Sequence, residues 1–190
     1  MAKYPMERAS MTSLKQEIAQ SPPFASLEEE TLLNLLRTAD CLQRSLHLKT
    51  RAWGVTTTQY NVLRILRGAQ PEGLTCTAIG SRMITAEPDI TRLLARLKTM
   101  KLIRQQRDRN DRRVVWTRIS EAGLRLLDEM NPAILAAPRA LLGHMGSRDL
   151  SELIRLLEVA RDMGARHPAS CSDGKQKPDR EDRTALETQR

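Results

Sequence analysis

Residues 90–116 read I-T-R-L-L-A-R-L-K-T-M-K-L-I-R-Q-Q-R-D-R-N-D-R-R-V-V-W. Ile90, Leu93, Leu94 and Leu97 stand at i, i+3, i+4 and i+7, the spacing of one apolar helix face. The spacing predicts a helix from about Glu87 to Met100, with Pro88 in its first turn, where a missing N–H costs nothing. Its outward face would carry Pro88, Thr91, Arg92, Ala95, Arg96 and Thr99. Two strands follow, Lys101–Arg107 and Arg113–Ile119. In the second, Val115, Thr117 and Ile119 alternate with Val114, Trp116 and Arg118. Asp108–Arg112 joins them, with Asn110-Asp111 at the tip. A helix able to enter a groove, beside a basic ribbon, is the arrangement that duplex DNA recognition requires.

The charge distribution supports that implication. The chain of 190 residues carries a net charge of +8. Residues 82–118 hold eleven Lys and Arg against four Asp and Glu, a local +7. A scattered excess would describe a solvated surface. An excess gathered on one helix and one ribbon favours a polyanion, because each neutralised phosphate releases counterions.

Outward from this stretch the chain reads as helices. Residues 1–24 are polar and are expected to form a flexible arm, with a short helix around Ser13–Gln20. From Ser26, Leu32, Leu35, Leu36, Ala39, Leu42 and Leu46 mark a helix of over twenty residues, and Leu33 and Leu48 widen its apolar surface. Such a helix has two contacts to satisfy, its own domain and a partner subunit. Gly54 ends it. Thr56, Thr57 or Thr58 caps the next helix, to about Arg67, and Thr75 or Thr77 caps a short one to about Met83. Two short helices, a turn and the amphipathic helix above read as helix-turn-helix. After the hairpin, Ser120 caps another helix, which Pro132 and Pro138 are expected to bend or break. A last helix spans about Arg148 to Met163. Residues 166–190 are polar and are expected to be a disordered tail. The fold class is mainly α with a small β-hairpin wing. Residues 25–165 form the domain, with 54–119 as winged helix-turn-helix and 25–53 and 120–165 as dimerisation helices.

Four stretches resemble the MarR family of bacterial transcriptional regulators. They are T-T-T-Q-Y-N-V-L-R-I-L, L-T-C-T-A-I-G-S-R-M, D-I-T-R-L-L-A-R-L-K-T-M-K-L-I-R-Q and D-R-N-D-R-R-V-V-W-T-R-I-S-E-A-G. The last is similar to the family wing pattern D-x-R followed by L-T-x-x-G, with Ile119-Ser120 in place of Leu-Thr. The resemblance implies a homodimer on a roughly palindromic operator in double-stranded DNA, most often a repressor. It also implies release by a small aromatic or phenolic ligand, bound in a cleft near His47, Arg51 and Trp53. Arg113 matches the arginine that family members send into the minor groove, and Asp111 the aspartate that holds it. From the residues themselves, Arg92 and Arg96 suit guanine edges or phosphates. Thr91 suits a phosphate or base, and small Ala95 permits close approach. Asp89 suits a cytosine amine or the orienting of Arg92. Arg109 and Arg112 suit phosphates or a narrow minor groove.

Other readings are weaker. No paired carboxylates, nucleophile elbow, phosphate-binding glycine loop or metal-ligand spacing points to an enzyme, and no cofactor or metal is expected. A winged helix used for protein contact would not need arginine on both helix and wing. A thiol sensor of the same fold would use Cys41 or Cys76. Cys41 lies mid-helix among leucines and reads as buried filler, and Cys171 falls in the tail. Without an apolar leader or an apolar run long enough to span a bilayer, the chain is expected in the cytoplasm.

Overall fold

A computed structural model describes residues 12–165. The tail expected at 166–190 and the first eleven residues of the expected arm lie outside the described residues. The elements are α1 (Leu14–Glu17), α2 (Leu27–Arg51), α3 (Thr57–Arg67), α4 (Cys76–Gly80), α5 (Ile90–Thr99), β1 (Ile103–Arg107), β2 (Val115–Ile119), α6 (Glu121–Leu142) and α7 (Ser147–Ala165). Among the described residues, 12–141 form one compact unit, and α7 belongs to a second. Within the span expected as an arm, Ser13 and Gln16 close a capping box on α1, and Leu14 is buried.

Caps set the helix boundaries. Ser26 accepts from the Glu29 N–H, and three glutamates occupy the first turn of α2, where the helix dipole favours them. Thr56 and Gln59 form a capping box on α3. Thr50, at the end of α2, is 1% exposed and lies with its Oγ1 3.4 Å from that of Thr57, tying the two helices together.

The core of the first unit is aliphatic. Val62, Leu63 and Leu66 of α3 meet Ile79 of α4, Leu94 and Leu97 of α5, Ile103 and Ile119 of the strands, and Leu127 and Met130 of α6. Each such side chain contributes about 1.5–3 kcal/mol when fully buried. β1 and β2 pair antiparallel, with Ile103 opposite Ile119 at the base and Arg107 opposite Val115 near the tip. Leu74 adds a one-residue bridge to Thr117 through two backbone hydrogen bonds, of 2.9 and 2.8 Å. Gly73 makes this approach feasible. Its φ is +80°, and a Cβ there would stand 2.5 Å from the Thr117 carbonyl oxygen.

Four expectations need correction. α5 begins at Ile90, so Pro88 precedes the helix, because Asp89 takes the N-cap and accepts from the Arg92 N–H at 3.0 Å. α6 runs unbroken through Pro132 and Pro138. Both prolines are exposed, so the carbonyl each leaves without a helix donor can turn to water, while Ile134 and Ala137 stay buried on the other side. Cys41 is exposed on α2 within the single chain, not buried. The strands are shorter than read, because the residues at both ends of the hairpin belong to turns.

Candidate DNA-binding surface

Position in the helix-turn-helix decides which side chains of α5 face outward. Leu94 and Leu97 are buried, and Ile90 and Leu93 pack on the core. Thr91, Arg92, Ala95 and Arg96 are therefore exposed, as are Pro88 and Asp89 just before the helix. The turn entering α5 is fixed to α3, since the Ile84 N–H donates to Asn61 Oδ1 at 3.1 Å. Asp89 spends one carboxylate oxygen on the cap, so it orients Arg92 through its backbone rather than its guanidinium.

The wing tip is ordered by two aspartates. Asp111 accepts from the Arg113 backbone N–H at 2.9 Å, and its Oδ1 lies 3.4 Å from Arg113 Nε. The Arg113 side chain is 93% exposed, so this surface pair contributes little stability and mainly sets direction. Arg109 and Arg112 are also exposed, without an ion-pair partner among the described residues.

Asp108 is the residue that sequence reasoning missed. Its Oδ1 accepts from the N–H groups of Asn110 and Asp111, at 2.8 and 3.1 Å. Its Oδ2 accepts from Trp116 Nε1 at 2.9 Å. The indole donor, then the two backbone donors, hold its carboxyl below the usual carboxylate range. The backbone half of this arrangement has a sequence signal, an Asp at the start of a turn. The Trp116 half depends on strand register and has none.

The residues expected to meet a ligand are less gathered. His47 and Arg51 are exposed on the last turns of α2, and Trp53 packs partly buried against the core. A cavity of about 390 Å³ lies elsewhere, between the end of α5, the base of β1 and the start of α6. Among the described residues, no group of His, Cys, Asp or Glu side chains could hold a metal ion. No described helix is long and apolar enough to cross a membrane.

A helix-turn-helix with an attached two-stranded wing defines the winged-helix class. Residues 53–114 match the profile of the MarR family. A MarR transcription factor from Planctomyces limnophilus is 37% identical, with 72% of this chain and 99% of that one aligned at a TM-score of 0.57. The chain belongs to the MarR family of transcriptional regulators, which are not enzymes. Its fold is also similar to that of S. aureus MepR in a complex with DNA, at 20% identity over 68% of this chain and 96% of that one, TM-score 0.63. Bordetella bronchiseptica BpsR, whose DNA binding is regulated by 6-hydroxynicotinic acid, aligns at 21% identity over 70% and 99%, TM-score 0.62. No curated protein sequence matches the chain.

Proposed function

We propose that this regulator is a homodimeric repressor that binds a roughly palindromic operator in double-stranded DNA and is released by a small aromatic ligand. The carrying observation is the division of five exposed arginines between two elements. Arg92 and Arg96 stand on the outward face of α5, and Arg109, Arg112 and Arg113 stand on the wing. A helix face of that kind suits the major groove, with Arg92 and Arg96 on base edges or phosphates, Thr91 beside them and Ala95 permitting close approach. Arg113, directed by Asp111, suits the minor groove, and Arg109 and Arg112 suit flanking phosphates. MepR bound to DNA supports the nucleic-acid partner, and BpsR with 6-hydroxynicotinic acid supports ligand control. His47, Arg51 and Trp53 are the ligand contacts this reading assigns.

The test is duplex binding by fluorescence anisotropy, using the DNA upstream of the protein's own gene. Arg113→Ala weakens binding by about tenfold, as expected for a lost charge-assisted contact, and leaves the oligomeric state unchanged. Affinity falls steeply with salt, because several phosphates are neutralised. Absent or salt-insensitive duplex binding would overturn the reading.

A further inference from the structure

The cavity beside the base of the wing has a charge pattern that the DNA-binding reading does not use. Lys98 and Lys101 at the end of α5, Arg104 of β1, and Ser120, Glu121 and Arg125 at the start of α6 line this open depression. Glu121 is 3.9 Å from Arg125, which leaves Lys98, Lys101 and Arg104 without an ion-pair partner among the described residues. The cavity therefore holds four cations against one carboxylate.

The cavity is set apart from the arginines of the DNA-binding face. Lys98 follows Arg96 by two residues, about 200° around the helix, and so stands away from Arg92 and Arg96, on the flank where Thr91 lies about two turns earlier. The cavity also lies at the Ile103–Ile119 end of the hairpin, away from the tip that carries Arg109, Arg112 and Arg113.

Two further features show that the local cation density is held against a cost. Arg104 sits directly across the ladder from Arg118, and like charges in that position repel. Lys101 has φ +60°, in the left-handed region. It occupies the position after the α5 C-cap where glycine is favoured, with the Leu102 N–H reaching back to the Leu97 carbonyl and the Lys101 N–H to that of Lys98. A lysine there accepts backbone strain and places an ammonium group at the cavity rim. The start of α6 adds backbone donors, because Ser120 Oγ takes only the N–H of Gly123 and donates its own proton to the Lys101 carbonyl.

We propose that this cavity is a second ligand site, for a small anion of the polyphosphate type, free or carried on an organic group. Three unpaired cations around a volume of about 390 Å³ match a compact multiple charge, and the volume falls in the range of small-molecule sites. The site is independent of the contacts assigned above to His47, Arg51 and Trp53.

The experiment is a thermal-shift and calorimetric titration of the full chain, without DNA, using inorganic pyrophosphate in one arm and ADP in the other. The wild type gives a saturable rise in Tm with at least one probe, and the tighter probe tells a free anion from an organic phosphate. Lys98→Gln with Arg104→Gln weakens binding at least about tenfold. Arg92→Ala with Arg113→Ala leaves it unchanged. Lys101→Gly removes a cation while relieving the strained backbone, so it weakens anion binding with an unchanged or higher Tm in the free protein, a result misfolding cannot imitate. The proposal is overturned if sodium chloride of equal ionic strength reproduces the shift, or if binding survives in the cavity variants and vanishes in the Arg92 and Arg113 variant. It is equally overturned if neither probe binds.

Discussion

A Cβ on Gly123 would clash with the Leu102 carbonyl oxygen and lie 2.8 Å from Ile119 Cγ1. Backbone conformation is not the reason for glycine here, since the residue is helical. The reason is proximity: Ser120 draws the start of α6 onto the hairpin base through the Lys101 carbonyl and the Gly123 N–H. The sequence I-S-E-A-G thus codes a cap and, three residues on, the bare backbone that the cap brings into contact. Gly123→Ala is expected to destabilise the fold by about 1–3 kcal/mol through overpacking against backbone that cannot yield. Gly68→Ala is the control. Its Cβ would meet nothing nearer than 3.7 Å, and Tm should hardly move. Equal melting temperatures for Gly123→Ala and wild type would show that the hairpin base is more yielding than these contacts allow.

At the scale of elements, the wing shows both what could be read and what could not. Alternation at Thr117 and Ile119 marked the inward face of β2, and both are buried. The i, i+3, i+4, i+7 pattern marked the inward face of α5, so its outward residues followed by elimination. Periodicity reports which side of an element is dry, and it does so locally. It could not place the first residue of α5, because Asp89 and Pro88 are each acceptable at a helix start and only the hydrogen bond to Arg92 decides. It could not foresee α6 passing through two prolines, because that depends on which side of the helix meets water. Nor could it find Asp108, whose Trp116 partner is fixed by register. That hub carries a prediction of its own. Asp108→Ala removes the acceptor of three donors and is expected to weaken duplex binding several-fold with helix content unchanged, whereas Asp108→Asn, which keeps an acceptor oxygen, is milder. The pH dependence has a definite sign. Since the folded-state carboxyl lies below its ordinary value, its contribution to wing order is present above the ordinary carboxylate pKa and is lost only as pH falls through the lower one. Duplex affinity between pH 6 and 8, a range on the order of two units above any carboxylate titration, should therefore show no step from Asp108. A step there that disappears in Asp108→Asn would contradict this account.

For the whole molecule, the apolar surface left by a single chain argues for a partner of its own kind. Leu27, Leu32, Leu36 and Leu48 of α2 are 78%, 56%, 58% and 71% exposed, and Ile154, Leu156 and Val159 of α7 are 58%, 49% and 52% exposed. Single exposed leucines are ordinary, but two long helices that each leave several large apolar side chains uncovered are not. The rest of α2 explains why they are there. Thr50 ties its end to α3, so one side serves the winged helix and the leucines on the other sides remain. A two-fold assembly covers such side chains with the same residues from each copy, and it also sets two wings at a fixed separation, which a palindromic site needs. Leu32→Glu with Leu36→Glu places two charges on the exposed flank that this i, i+4 pair shares, without touching the core around Leu63, Leu66 and Leu97. The expected result in light scattering is a shift from dimer to monomer. The winged helix then binds one half-site only, so operator affinity drops by orders of magnitude, while half-site affinity, which the proposed reading assigns to Arg92, Arg96 and Arg113, changes little. A variant that stays dimeric and keeps full operator affinity would show that α2 is not the surface that pairs the two copies.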